Sequence, residues 1–189
     1  MNVDLLDGPL LWFVDRSSGL VTMLLLSVST VIGVLSTRGR AGRGLPVFVV
    51  QNVHRNISLL AMVLLAVHVV SSVAHEFVDI RWWHAVVPFG SPYEPLLVGL
   101  GTLATDLLLL VVVTSLVRGR MPHLPWRVIH LSAYGAWGLG TLHGLLLGTD
   151  TAGGGFWALV SIACAVAVAL AIGWRLVGVL RGPRLGASV

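Results

Sequence analysis

Four histidines lie in apolar surroundings at regular intervals: His54 and His68 are fourteen residues apart, His130 and His143 thirteen. The stretch VIHLSAYGAWGLGTLHG, residues 128–144, holds two of them and no formal charge. An imidazole in such a setting is either an interhelical hydrogen-bond partner or a ligand for a metal, above all for iron. Singly, each of the four reads most simply as the former. Jointly, they share spacing, depth and helix direction, which independent packing residues have no reason to do.

The elements that carry them are apolar runs. Of the 189 residues 56% are hydrophobic and 11% charged, against roughly 25% charged in an ordinary soluble domain. The runs are each close to the ~20 residues that a helix needs to cross a hydrocarbon layer. The expectation is an all-α integral membrane protein of five spans, at about 17–37, 56–76, 95–117, 127–149 and 153–175, forming one transmembrane domain over 1–189. The opening MNVDLLDGPLLWFVD lacks the positive start of a secretory signal and is expected to be a short interfacial segment.

Arginines set the orientation, because basic residues beside spans stay on the cytoplasmic side. Arg38, Arg40, Arg43 and Arg55 fall between spans one and two, Arg118, Arg120 and Arg127 between three and four, and Arg175, Arg181 and Arg184 after span five. Seven acids, Asp4, Asp7, Asp15, Glu76, Asp79, Glu94 and Asp150, fall in the alternate segments with Arg16 and Arg81. The N-terminus is therefore expected outside and the C-terminus inside, in a cell membrane. Twelve arginines without a lysine hint at a GC-rich bacterial genome. Split among short loops at one interface, these charges report topology and imply no nucleic-acid partner. Cys164 stands alone inside span five, so there is no disulfide framework, no thiolate metal site and no C-x-x-C-H for covalent haem attachment.

Spans two and four both run from the inside outward, so their histidines can be compared by depth. His54 and His130 lie at the inner mouth; His68 and His143 lie about 20 Å further out at 1.5 Å per residue. Two imidazoles facing each other at one level suit a haem iron gripped from both sides, and two levels imply two haems, stacked one near each surface. Fourteen residues return His68 to within about 40° of His54, whereas thirteen leave His143 well out of phase with His130. Span four is then overwound, or its two haems are rotated relative to each other. Gly135, Gly138, Gly140 and Gly144 lie beside these ligands, where a porphyrin could rest on the backbone. The spacing of Gly140, Gly144 and Gly148 equally fits close helix packing.

These residues resemble the ferric reductase-like transmembrane domain family, the membrane module of ferric reductases and NADPH oxidases. The resemblance rests on the two spaced histidine pairs, on Thr114, Ser115 and Arg118 ending span three, and on WRVIHLSAY from Trp126 to Tyr134, and it covers roughly residues 17–180. It implies that His54 and His130 bind an inner haem b and His68 and His143 an outer one. It also implies electron transfer from a cytoplasmic donor to an acceptor outside. Relatives of that kind usually carry a flavin and NAD(P)H-binding region after the last span. This sequence has no G-x-G-x-x-G on a strand-to-helix turn, and Gly153 to Gly155 read as a loop, so no flavin or nicotinamide site is expected within it. The donor is then a separate flavoprotein reductase or a membrane quinol.

Arg55 and Arg127 stand beside the inner ligands, either pairing with haem propionates or serving positive-inside retention. Trp137, two turns after His130, sits between the haems or packs the bundle. Asp106, the one acid within a span, marks a proton path or a buried partner. His75 and His84, with Glu76 and Asp79, offer an acceptor or iron-binding surface, though their spacing fits no defined metal motif; Trp82 and Trp83 read as interfacial anchors and His123 as solvated. No catalytic side chain is expected, because redox at an accessible haem edge needs none. Two other classes remain open, a transition-metal transporter lined by the histidines and a haem-free membrane anchor for a soluble partner; a homo-oligomer is equally open.

Overall fold

The computed structural model describes residues 9–36, 46–74, 78–148 and 155–180, and among these there is no strand. Five long helices account for most of them: α1 (Pro9–Ser36), α2 (Val47–Ala74), α3 (Pro95–Leu116), α4 (His123–Leu147) and α5 (Phe156–Leu180). Leu10–Ser36, Val47–Ala74, Pro95–Leu116 and Phe156–Gly178 are long and apolar enough to cross a membrane. α4 is of similar length but more polar, carrying Arg127 and three histidines.

The helices start where the chain's own chemistry permits. Pro95 opens α3 at a first-turn position whose N–H needs no helical partner, after Glu94 in a left-handed conformation at φ 38°. Pro125 sits in the first turn of α4 for the same reason. A short 3-10 turn, Arg118–Arg120, joins α3 to α4. Another, Trp82–Ala85, lies in the segment before α3 and is pinned to it by Thr102, whose hydroxyl donates to the His84 carbonyl at 2.9 Å.

Packing inverts the usual order of a soluble domain. Buried positions are small or hydroxyl-bearing, such as Ala61, Ala104, Ala136, Ser27, Ser71 and Thr141, while large apolar side chains such as Val63, Leu146 and Leu170 face outward with 60–69% of their surface exposed. Small residues let helix backbones approach, and an apolar exterior of this extent is what a helical membrane protein presents to lipid. Inward hydroxyls such as these are satisfied locally where they donate back along their own helix: Ser27 to Met23 O at 2.7 Å and Thr141 to Trp137 O at 2.8 Å, each four residues back.

Two antiparallel hairpins result, α1 against α2 and α3 against α4, with α5 laid along α1 and tied to α4 by Arg175 donating to the Tyr134 hydroxyl. α2 and α4 do not pack closely on each other.

Helix bounds differ from those read in the sequence mainly where a charge was taken to end a span. Residues 9–15, expected as an interfacial segment, belong to α1, and α2 begins at Val47, before His54 and Arg55. Asp15 sits inside α1 with partners on α2, described below, while Arg55 is exposed at the surface of α2. The remainder of the opening segment, the arginines at 38, 40, 43, 181 and 184, Asp150, and His75 with Glu76 lie outside the described residues.

Candidate functional site: two opposed histidine pairs

The α2 and α4 imidazoles meet in the pairs that the spacing predicts. His54 and His130 have ring centroids 6.2 Å apart and planes at 69°; His68 and His143 are 6.3 Å apart at 75°. α4 is α-helical throughout, so the thirteen-residue interval is not taken up by 3-10 overwinding.

Each ring is seated by the other helix of its own hairpin. His68 Nδ1 lies 3.0 Å from the Asp15 carbonyl, and a Cβ at Gly19 would stand 3.0 Å from that nitrogen. His54 Nδ1 lies 3.0 Å from the Ser29 carbonyl, beside Gly33, where a Cβ would be 3.3 Å from Cε1. On α3, the Leu97 carbonyl accepts from His143 Nδ1 at 2.7 Å, and a Cβ at Gly101 would be 2.8 Å from the ring. In all three, the glycine stands four residues after the carbonyl. The missing Cβ lets an imidazole reach a carbonyl that the helix already uses.

The fourth seat departs from this. Counting along the antiparallel hairpin, Thr114 stands opposite His130 as Gly101 stands opposite His143. Its hydroxyl donates to the Leu110 carbonyl at 2.7 Å, the group that the ring would otherwise use. His130 Nδ1 instead meets the Ser115 hydroxyl at 3.4 Å.

A carbonyl only accepts, so Nδ1 carries the proton in His54, His68 and His143, and Nε2 of each is the nitrogen with a lone pair. None of the four Nε2 atoms makes a hydrogen bond among the described residues. A metal-binding histidine has this arrangement, one ring nitrogen anchored and the other offered. Spacing gives an independent check: a bond of about 2.0 Å from each nitrogen to a shared ion, with roughly 1.1 Å from nitrogen to ring centre, puts the centroids about 6.2 Å apart. Among the described residues no three His, Cys, Asp or Glu side chains converge as a protein-only metal cage would require; the convergent groups are pairs.

A cavity of about 930 Å³ adjoins His68 and His143, walled by Gly19, Gly101, Gly140, Gly144 and Trp137 and reached by Arg16 and Tyr93. That volume is within the roughly 300–1,000 Å³ of small-molecule sites. A Cβ at Gly135, Gly138 or Gly144 would meet nothing within 4 Å, so these positions border open space rather than a packed helix. Trp137 lies between the two levels and donates from Nε1 to the Ser27 hydroxyl at 2.9 Å.

A family model described as a domain of unknown function (DUF8596) matches residues 10–150, which contain all four histidines and their seats. The chain belongs to that family. No curated protein and no solved structure matches it.

Around the first pair, Ser29 links the His54 ring to the Ser58 hydroxyl at 2.6 Å, and Ser58 donates to the His54 carbonyl at 2.8 Å. Trp126 stacks on His130 with centroids 5.0 Å apart, and the Arg118 guanidinium lies over the Trp126 ring at 4.1 Å from the indole centre. Arg55 and Arg127 have no bonded partner among the described residues, and both are exposed. Asp106 is half-buried on α3. His84 is buried, accepts from the Arg81 N–H at 2.9 Å and lines the large cavity, while His123 is exposed and lies near the Trp126 ring. The sequence alone does not point to the seats, namely Asp15, Gly19, Ser29, Gly33, Leu97 and Gly101. One signal was available: Gly19 and Gly33 repeat the fourteen-residue interval of His54 and His68.

Proposed function

We propose that this protein is a di-haem b transmembrane electron carrier of ferric reductase-like type. In this reading His54 with His130 and His68 with His143 would hold the irons of two non-covalently bound haems. The carrying observation is that the imidazoles meet in opposed pairs at the separation of two nitrogens sharing one ion, with Nδ1 anchored and Nε2 offered.

When bound, haem iron supplies one-electron redox chemistry. The chain's residues do the rest. Carbonyls of Asp15, Ser29 and Leu97 fix the ring tautomers, and the glycines keep the rings in register. Gly140 and Gly144 leave room for a flat macrocycle on α4, and Trp137 fills the interval between the levels. Arg55, Arg127 and Arg118 are the cations available to carboxylates at the first level. Five helices cross the plasma membrane, N-terminus outside, in accord with the arginine distribution, and α4 serves as a span because several of its polar groups have partners within the bundle, Tyr134 on α5 and Trp137 on α1. Electrons enter from a cytoplasmic flavoprotein or a quinol and leave to an external acceptor. The chain is in this sense an oxidoreductase component.

The full chain, purified in detergent, is expected to give a reduced-minus-oxidised spectrum with a b-type α-band and two haems per polypeptide. A colourless protein would overturn the reading. Zinc binding by that colourless protein would favour the transporter alternative, and a protein that binds neither would favour the haem-free anchor.

A further inference from the structure

The four seats are not equivalent. His68 alone has a carboxylate behind it: its Nδ1 lies 3.0 Å from Asp15 Oδ1 as well as from the Asp15 carbonyl. The same carboxylate oxygen takes a short hydrogen bond from the Ser72 hydroxyl and another from Ser71 at 3.4 Å. His68 and Ser72 thus both reach this oxygen from α2, more than fifty residues along the chain, while the Ser71 hydroxyl lies closer to the Val67 carbonyl, at 2.8 Å. Facing His68, His143 has the shortest of the three carbonyl contacts, 2.7 Å. The other pair has only neutral partners: the Ser29 carbonyl and hydroxyl at 3.0 Å for His54, and the Ser115 hydroxyl at 3.4 Å for His130.

A hydrogen bond from Nδ1–H to a carboxylate gives the ring imidazolate character and makes Nε2 a stronger electron donor. A richer ligand set and a nearby negative charge both favour the oxidised over the reduced metal, which lowers the potential. Both rings of one pair are strengthened and one ring of the other is weakened, so the contributions add.

We infer that Asp15, acting as a positioning residue through His68, makes the His68/His143 site the lower-potential of the two haem sites. This rests on the di-haem reading above. Its consequence is directional: at equal occupancy an electron is more stable on the His54/His130 side, so delivery toward the His68/His143 end runs uphill unless the acceptor or the membrane potential draws it.

Optical redox titration of the full chain tests this. The wild type is expected to show two one-electron waves. Asp15→Asn keeps an oxygen acceptor for Nδ1 but removes the charge, and it should shift the reduction equilibrium of the lower wave upward at least tenfold, about 59 mV for one electron, with the upper wave unmoved. A purely structural role for Asp15 would lower haem retention or melting temperature and leave the midpoints in place, which would overturn the inference; so would movement of the upper wave. Should Asp15→Asn fail to fold, His130→Ala provides a second route. It removes the other site, and its remaining haem should titrate at the lower wild-type midpoint; a match to the upper midpoint overturns the assignment. Absence of haem from the wild type would instead sink the di-haem reading itself.

Discussion

A β-carbon added at Gly101 would stand 2.8 Å from both Cε1 and Nδ1 of His143. The ring has no room to retreat without leaving the Leu97 carbonyl, so Gly101→Ala is expected to cost about 1–3 kcal/mol as an overpacking change and to halve the haem content. Gly135→Ala faces open space and should leave haem content unchanged. Haem-to-protein ratios and thermal melts of the two variants check both.

Opposed ligands should fail together. His54→Ala and His130→Ala are each expected to lose one haem, and the double variant the same one rather than two, because the rings serve one site. His68→Ala combined with His130→Ala should lose both. Haem stoichiometry and the number of redox waves distinguish these outcomes.

The hydrogen bond from Trp137 to Ser27 joins α4 to α1 between the two levels. Trp137→Phe and Ser27→Ala should each destabilise by about 1 kcal/mol, and the pair by little more than either alone, since one bond is removed in all three. Melting of the detergent-solubilised protein provides the comparison.

Topology gives a further check, because Cys164 is the sole cysteine and is buried. With the proposed orientation, Tyr93→Cys in intact cells should react with a membrane-impermeant maleimide and Arg120→Cys should react only after lysis. The reverse pattern would invert the arginine argument.

The histidine pairing was legible in the sequence because it depends on two quantities a sequence contains, the interval along a helix and the direction of that helix. The seats were not, because each joins residues on different helices: His68 to Asp15 and Gly19, His143 to Leu97 and Gly101. Fixing them requires the antiparallel register of each hairpin, and apolar runs without a phase mark leave that register open. Asp15 shows the same limit from the other side. A charge at the end of an apolar run reads as its boundary, yet here it lies inside α1, compensated by groups that only folding brings near. The α4 glycines were legible as places without side chains, but not their surroundings: Gly140 and Gly144 line the cavity beside His68 and His143, whereas Gly135 and Gly138 face open space beside Leu139, Leu142 and Ala165. The charges Arg55 and Arg127 carried less information, since adjacency to a ligand in sequence does not turn a side chain toward it.

The glycine seats place the same device in both hairpins, with only Thr114 out of pattern. Helices α1 to α4 are in effect one helical hairpin written twice, each copy contributing one ring to every pair. A single synthetic two-helix peptide that copies α1 and α2 would therefore need only to self-associate side by side to present four imidazoles, and such a miniature offers a way to study the paired rings free of the rest of the polypeptide.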